Sequence, residues 1–180
     1  MKHQYIPGLK GLLLVLVCAG STAVARGTYQ APEDFLAEVF SGSPPAPETM
    51  WLQGDAREQV TEILGHRYNA LRIRYWAKNR RTAWILEEIG KDQPITTGIV
   101  VNDGKLETVR VLIFRESRGS EIRHPFFTEQ FNGAELTDRH QLDRHIDGIS
   151  GATLSVRALK NLVRMALYLH TRTDYANDPP

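Results

Sequence analysis

Seven consecutive residues combine small side chains with hydroxyl groups, directly before an amphipathic run of sequence. They are Asp147, Gly148, Ile149, Ser150, Gly151, Ala152 and Thr153. At the start of a helix, free backbone amides and the positive end of the helix dipole attract a phosphate group. The small residues let a phosphate approach the backbone, and the Thr153 hydroxyl can form an ester with it. Arg157, one turn further along, is a further partner for the phosphate charge.

The same seven residues also fit an ordinary loop whose Ser and Thr side chains cap the helix that follows. Spacing alone favours this simpler interpretation, because turns built from Gly and Ser are common. The residue types therefore leave two interpretations open at this position, a phosphate site and a helix cap.

A group of histidines and carboxylates just upstream has the donor types of a metal site. Its members are His140, Asp143, His145 and Asp147. His140 and His145 are five residues apart, a spacing that does not place them on one face of a helix. A polar surface segment is the simpler explanation, and we predict no metal site here.

Composition narrows the class of protein. The chain has 180 residues, of which 42% are hydrophobic and 24% charged, as expected for one globular domain with a core. The formal net charge is +1 and the basic residues are scattered, which gives little support for a nucleic-acid-binding surface.

Residues 1–25 have the pattern of a secretory signal peptide. Lys2 and Lys10 precede an apolar run, and small residues end the segment at Ala25. The run is shorter than the roughly 20 apolar residues that span a bilayer, so we expect cleavage over a retained membrane anchor. Cleavage removes two Lys, no acidic residue and the sole cysteine, which takes the formal charge from +1 to −1. Any redox cofactor of the mature chain must then be organic or non-thiolate.

The periodicity of the chain predicts an α+β fold, with a twisted antiparallel sheet packed against helices and the glycine-containing loop preceding a long C-terminal helix. Strands are predicted at 71–76, 82–89, 95–101 and 106–114. Helices are predicted at 32–40, 55–64, 125–131 and 155–169. Asp55 is the expected cap of the second helix, with Gly65 just past its end, and Asn102-Asp103-Gly104 predicts a tight turn.

The residues 147–153 resemble the flavinylation motif of the FMN-binding domain family, in which an FMN transferase esterifies the final Thr or Ser with FMN. The resemblance extends upstream. Residues 94–106 are similar to the family's central hairpin, Glu116-Ser117-Arg118-Gly119 to its Glu-Thr-Pro-Gly-like loop, and residues 125–133 to the short helix that follows. This family includes flavinylated components of the sodium-translocating NADH:quinone reductase and of the Rnf complex.

The resemblance implies an exported electron-transfer flavoprotein with FMN bonded covalently to Thr153. Asp147, Gly148, Ser150, Gly151 and Ala152 are implied as the residues that the transferase recognises and that later cradle the phosphate. It further places Glu116 near the ribityl chain or ring edge. Phe126, Phe127 and Phe131 are candidates for packing on the ring, although aromatic residues beside an amphipathic helix usually belong to the core.

The residue patterns and the resemblance together predict the organisation of the chain, and the resemblance implies its partners. The segments are a signal peptide at 1–25, an N-terminal helix and linker at 26–48, the FMN-binding domain at 49–170 and a flexible tail at 171–180. Expected partners are an FMN transferase, a membrane electron donor and a redox acceptor, in the periplasm.

Two other function classes stay open. The first is a non-redox periplasmic ligand-binding or regulatory module, in which the loop is only a helix cap. The second is an enzyme such as a flavin reductase domain, which lacks support because the sequence has no Gly-x-Gly-x-x-Gly pattern to hold a nicotinamide nucleotide. We therefore expect an electron carrier more than an enzyme with its own substrate.

Overall fold

Five strands form one antiparallel sheet in the computed structural model, which describes residues 27–176. In chain order they are β1 (Glu48–Trp51), β2 (Arg72–Lys78), β3 (Arg81–Ile89), β4 (Pro94–Asn102) and β5 (Lys105–Phe114). They lie side by side in that same order, each antiparallel to its neighbour. The predicted α+β class is confirmed, and the four predicted strands correspond to β2 to β5.

Strand β1 was not predicted, because its four residues lie beside a linker rich in Ser, Gly and Pro. It pairs along the edge of the sheet, from Glu48 opposite Tyr75 to Trp51 opposite Arg72. The turn between β4 and β5 was predicted correctly. Asp103 and Gly104 both have positive φ, 53° and 76°, as a two-residue hairpin turn requires.

Four α-helices cover the two faces of the sheet. They are α1 (Pro32–Val39), α2 (Gly54–Leu64), α3 (Pro125–Thr128) and α4 (Thr153–Thr171). Successive residues of β3 point to opposite faces, so Trp84 and Leu86 pack with α2 and α4 while Ala83 packs with α1. At Gly98 of β4 the missing side chain leaves room for Phe35, whose ring lies 2.6 Å from where a Cβ would stand.

The helix boundaries correct three details of the sequence analysis. Helix α2 begins at Gly54 with Gln53 as its N-cap, so Asp55 lies in the first turn and is not the cap. Gly65 ends that helix with φ 79°, as predicted. Helix α4 begins two residues earlier than predicted, at Thr153, and the short helix expected at 125–131 is α3 followed by a 3₁₀ turn.

The chain stays packed beyond the point where the flexible tail was predicted to begin. Thr173 is buried, and a 3₁₀ turn covers Asp174–Ala176. Residues 1–26 and 177–180 lie outside the described range, and the predicted signal peptide is among them. Within residues 27–176, no helix has the length and apolar character that a membrane crossing requires.

Candidate functional site

The start of α4 leaves backbone donors without partners. Its N-cap is Ala152, and no side chain there makes a capping hydrogen bond. Within the described part of the chain, the amides of Thr153, Leu154 and Ser155 have no hydrogen-bond acceptor. Thr153 itself is exposed. The helix start therefore offers a free hydroxyl beside three free N–H groups, which is the arrangement that binds a phosphate.

The loop before α4 holds its backbone open to solvent. A hydrogen bond of 3.0 Å from the Ala152 amide to the Ile149 carbonyl closes a turn. Gly151 occupies the left-handed region at φ 80°, where residues with a side chain are strained. Nothing lies within 4 Å of where a Cβ would stand on Gly148 or Gly151. The loop can therefore receive a bulky group against its main chain, and the residues fit a phosphate-linked cofactor.

Gly119 brings the Glu-Ser-Arg-Gly loop against the start of α4. Its φ is 88°, and a Cβ on it would stand 2.6 Å from Ser155 Oγ and 3.4 Å from the Ala152 Cβ. Only a residue without a side chain allows this approach. The fold thus packs together two motifs that are about thirty residues apart in the sequence.

Glu116 lies in this same loop and clamps the turn between β3 and β4. Its Oε1 accepts hydrogen bonds from the amides of Lys91, Asp92 and Gln93, at 2.5, 2.7 and 2.9 Å. Desolvation favours the neutral acid, but the three amide donors outweigh it and hold the pKa of Glu116 below its usual value. In the structure the Glu116 carboxylate accepts hydrogen bonds from the protein's own backbone. Its contact with a flavin stays a prediction.

Asp147 connects the loop of residues 147–152, which we name the attachment loop, to the segment after β5. Its amide donates to Gln130 Oε1 at 2.8 Å, and its exposed carboxylate lies 3.4 Å from His145 Nε2. Ser150 lies in the same loop, at the turn before Gly151. The loop, the Glu-Ser-Arg-Gly segment and the short helix all meet at one end of α4.

The three candidate aromatic residues near the loop separate into two groups. Phe127 and Phe131 are fully buried and meet edge to face with ring centroids 5.5 Å apart, so they belong to the core. Phe126 is 62% exposed and stacks on His124. Of these three, only Phe126 has a surface that a flavin ring could reach.

Among the upstream histidines and carboxylates, His145 pairs with Asp147, and the other two have partners outside the group. His140 packs edge to face against Tyr168, and Asp143 pairs with Arg144. Across residues 27–176, no three metal-ligating side chains stand together.

Arg157 is exposed, one turn after Thr153.

The hydrogen-bonded pair of His66 and Glu88 was missed by the sequence analysis. His66 Nε2 lies 2.9 Å from Oε1 of Glu88, which is only 7% exposed. A hydrogen bond to the Arg67 carbonyl and the pairing with Glu88 raise the pKa of His66. The charge of Arg157 opposes that rise. Twenty-two residues separate the pair, so no local pattern announces it.

Residues 90–168 match the family model described as the FMN-binding domain. No curated protein matches the chain in sequence. Among solved structures, the chain is similar to NqrC of Shewanella oneidensis, with a TM-score of 0.51 and 14% identity over 76% of this chain and 88% of that one. At this identity the likeness shows a shared fold. The matched residues contain the whole attachment loop, and the family match together with the shared fold supports a flavin-binding protein.

Proposed function

We propose that the protein is an exported electron carrier that holds FMN through a phosphoester bond to Thr153. One observation carries this proposal: an exposed Thr hydroxyl stands beside three amides that have no partner in the described structure, at the end of the family's motif. When bound, FMN supplies reversible transfer of one or two electrons, and the protein supplies its attachment and surroundings.

The residues of the loop have different roles in the attachment of FMN. Thr153 Oγ1 forms the new bond to phosphorus, and the free amides and the dipole of α4 neutralise the phosphate charge. Gly148 and Gly151 leave room for the group. An FMN transferase would use FAD with Mg²⁺, so that the hydroxyl displaces AMP at phosphorus and gives up its proton.

Covalent attachment has a physical advantage for an exported carrier. A flavin held only by weak contacts diffuses away, and outside the cytoplasm it is not replaced by local synthesis. The predicted signal peptide and the ester are therefore parts of one proposal. Its partners are a membrane electron donor and a redox acceptor, and the protein needs no catalytic base of its own.

The rival function is a non-redox binding module in which the loop only caps α4. The lack of a capping side chain at Ala152 weakens this rival, because a cap uses a side-chain oxygen to satisfy the first amides. Colour separates the two functions. The carrier stays yellow after denaturation and desalting, and the binding module is colourless.

The deciding experiment is the intact mass of the exported protein, co-produced with an FMN transferase and measured under denaturing conditions. Wild type and Thr153→Ser are expected to gain the mass of one FMN less water, and Thr153→Ala to gain nothing. An adduct that persists on Thr153→Ala would place the attachment elsewhere. Unmodified wild type would favour the binding module.

A further inference from the structure

Helix α4 packs against both α2 and β3. The Asn161 side chain donates to the Leu64 carbonyl at 3.3 Å, and Arg164 donates to the Ile63 carbonyl at 3.2 Å. These bonds fix α4 against the last turn of α2. Arg157 lies one turn nearer the start of α4, and Thr153 lies about 6 Å further along the helix axis.

The start of α4 is connected to the end of β3 through one loop. Gly119 of that loop packs against Ser155, and Glu116 of the same loop binds the amides of residues 91–93, directly after β3.

A groove opens on this side of the molecule, which we name the α2–β3 groove. Its walls include His66, Tyr68, Ala70, Glu88, Ile89 and Pro94, and its volume is about 340 Å³. Pockets of this size, with apolar walls and a few polar groups, bind small molecules and cofactors. Ile89 is 45% exposed at its rim, so an apolar surface lies ready beside the polar pair.

The polar wall of the groove contains a carboxylate oxygen, Glu88 Oε2, without a hydrogen-bond partner in the described structure. Glu88 Oε1 accepts from the Ile89 amide at 3.0 Å and pairs with His66, whereas the buried Oε2 has no partner in the described structure. Buried carboxylate oxygens are normally satisfied. The His66 side chain that pairs with Oε1 is 52% exposed, so the imidazole borders both the groove and solvent.

We propose that the α2–β3 groove seats the isoalloxazine ring of the flavin carried by Thr153, with Glu88 as the acceptor for a ring N–H and Ile89 and Tyr68 against the ring face. This inference rests on the proposed function. Glu88 and His66 are positioning residues in it: they orient the ring and set the charge beside it.

The exposed Phe126 marks a second surface near the loop, reached through Gln130 and Asp147. Phe126 stacks on His124, and among the described residues it borders no polar atom left without a partner. The groove combines an apolar rim with a buried carboxylate oxygen that has no partner among the described residues, which is why it is the better seat. The two surfaces predict opposite results for the variants Ile89→Ser and Phe126→Ala.

The test uses flavinylated full-length protein and readouts of the ring. Glu88→Gln keeps an acceptor for the Ile89 amide but removes the charge. Its adduct mass is expected to be unchanged and its midpoint potential to become more positive, because an anion near the ring disfavours added electrons. Glu33→Gln makes the same charge change on α1, on the opposite face of the sheet, and is expected to leave the potential unchanged.

A second variant avoids any burden on folding. Ile89→Ser alters an exposed side chain, and it is expected to increase iodide quenching of flavin fluorescence and to weaken the circular dichroism of the ring. Phe126→Ala is expected to change neither. The reverse pattern, or no change in any variant that carries the adduct, overturns the groove as the seat. Wild type without an adduct overturns the proposed function and this inference together.

Discussion

The two ends of α4 treat their polar groups in opposite ways. At the start, Thr153 is exposed and three amides have no partner in the described structure. At the end, His170 is fully buried, with Nδ1 2.9 Å from Thr82 Oγ1 and Nε2 accepting from the Gly104 amide at 3.3 Å. Trp84 donates to the same Thr82 hydroxyl. The polar groups of His170 are therefore satisfied within the protein, whereas the amides at the start of α4 are open to a ligand.

This contrast shows how a single helix can serve stability and function at once. A buried polar group must be satisfied within the fold or it costs free energy, and His170 is satisfied on both ring nitrogens. An exposed helix start tolerates unpaired amides, because water satisfies them until a ligand arrives. The two ends should therefore respond differently to mutation.

The largest expected contrast is between modification and stability at Thr153. Thr153→Ala is expected to abolish the FMN adduct while changing the free energy of unfolding by less than about 0.5 kcal/mol, because the exposed side chain makes no stabilising contact. Intact mass and urea unfolding of the unmodified protein measure the two effects. A strongly destabilised variant would show that the hydroxyl supports the fold.

At the other end of α4, His170→Ala is expected to destabilise the protein by about 3 kcal/mol, since it leaves a cavity and an unsatisfied Gly104 amide. Urea unfolding measures the change. His145→Ala, at a side chain that is 84% exposed, is the matched control and should have almost no effect. Equal effects of the two variants would remove the contrast between the ends.

Acid should weaken the His170 end selectively. Burial, together with the nearby charge of Arg80, lowers the pKa of His170 from 6.5 to about 4. The unfolded chain therefore binds a proton that the folded chain refuses, and stability falls as the pH drops from 6.5 towards 4. The loss attributable to this ring is roughly 3 kcal/mol.

The control for this pH effect is His170→Gln, which has no titrating ring. The difference in unfolding free energy between wild type and variant, followed in urea from neutral pH down to the lowered pKa of His170, isolates the histidine from the carboxylates. A difference that stays constant over this range would contradict the neutral buried state of His170.

Gly119→Ala is expected to cost about 2 kcal/mol, because it combines positive φ with a close approach to Ser155. Gly148→Ala is the matched control, since a Cβ there meets nothing within 4 Å. Thermal or urea unfolding of the unmodified proteins compares them. Similar stability of both variants would show that the contact between the two motifs is loose.

The smallest expected effect is at the Glu116 clamp. Glu116→Ala removes the acceptor of three amides. It should lower the free energy of unfolding by only about 1–2 kcal/mol, because water can replace the carboxylate as acceptor at this turn. Glu116→Gln keeps an oxygen acceptor and should lose less. Hydrogen exchange of the amides of Lys91, Asp92 and Gln93 reports the clamp directly, and unchanged protection in Glu116→Ala would rule it out.

Much of the fold was visible in local patterns. The turn at Asp103 and Gly104, the strands β2 to β5 and the amphipathic face of α4 follow from periodicity and from residues that permit positive φ. Strand β1 escaped, because four residues at a sheet edge take their conformation from the partner strand β2. The separation of exposed Phe126 from buried Phe127 also depended on neighbours that are distant in sequence.

The amino-acid order alone was enough to locate the attachment motif and the helix that follows it, because glycine conformation and helical periodicity are local properties. Packing was needed to bring Gly119 to Ser155, His66 to Glu88 and His170 to Thr82. The two hydrogen-bonded pairs among these contacts join residues that are 22 and 88 positions apart. Their energies come from burial and shape, which exist only once the sheet and helices have packed.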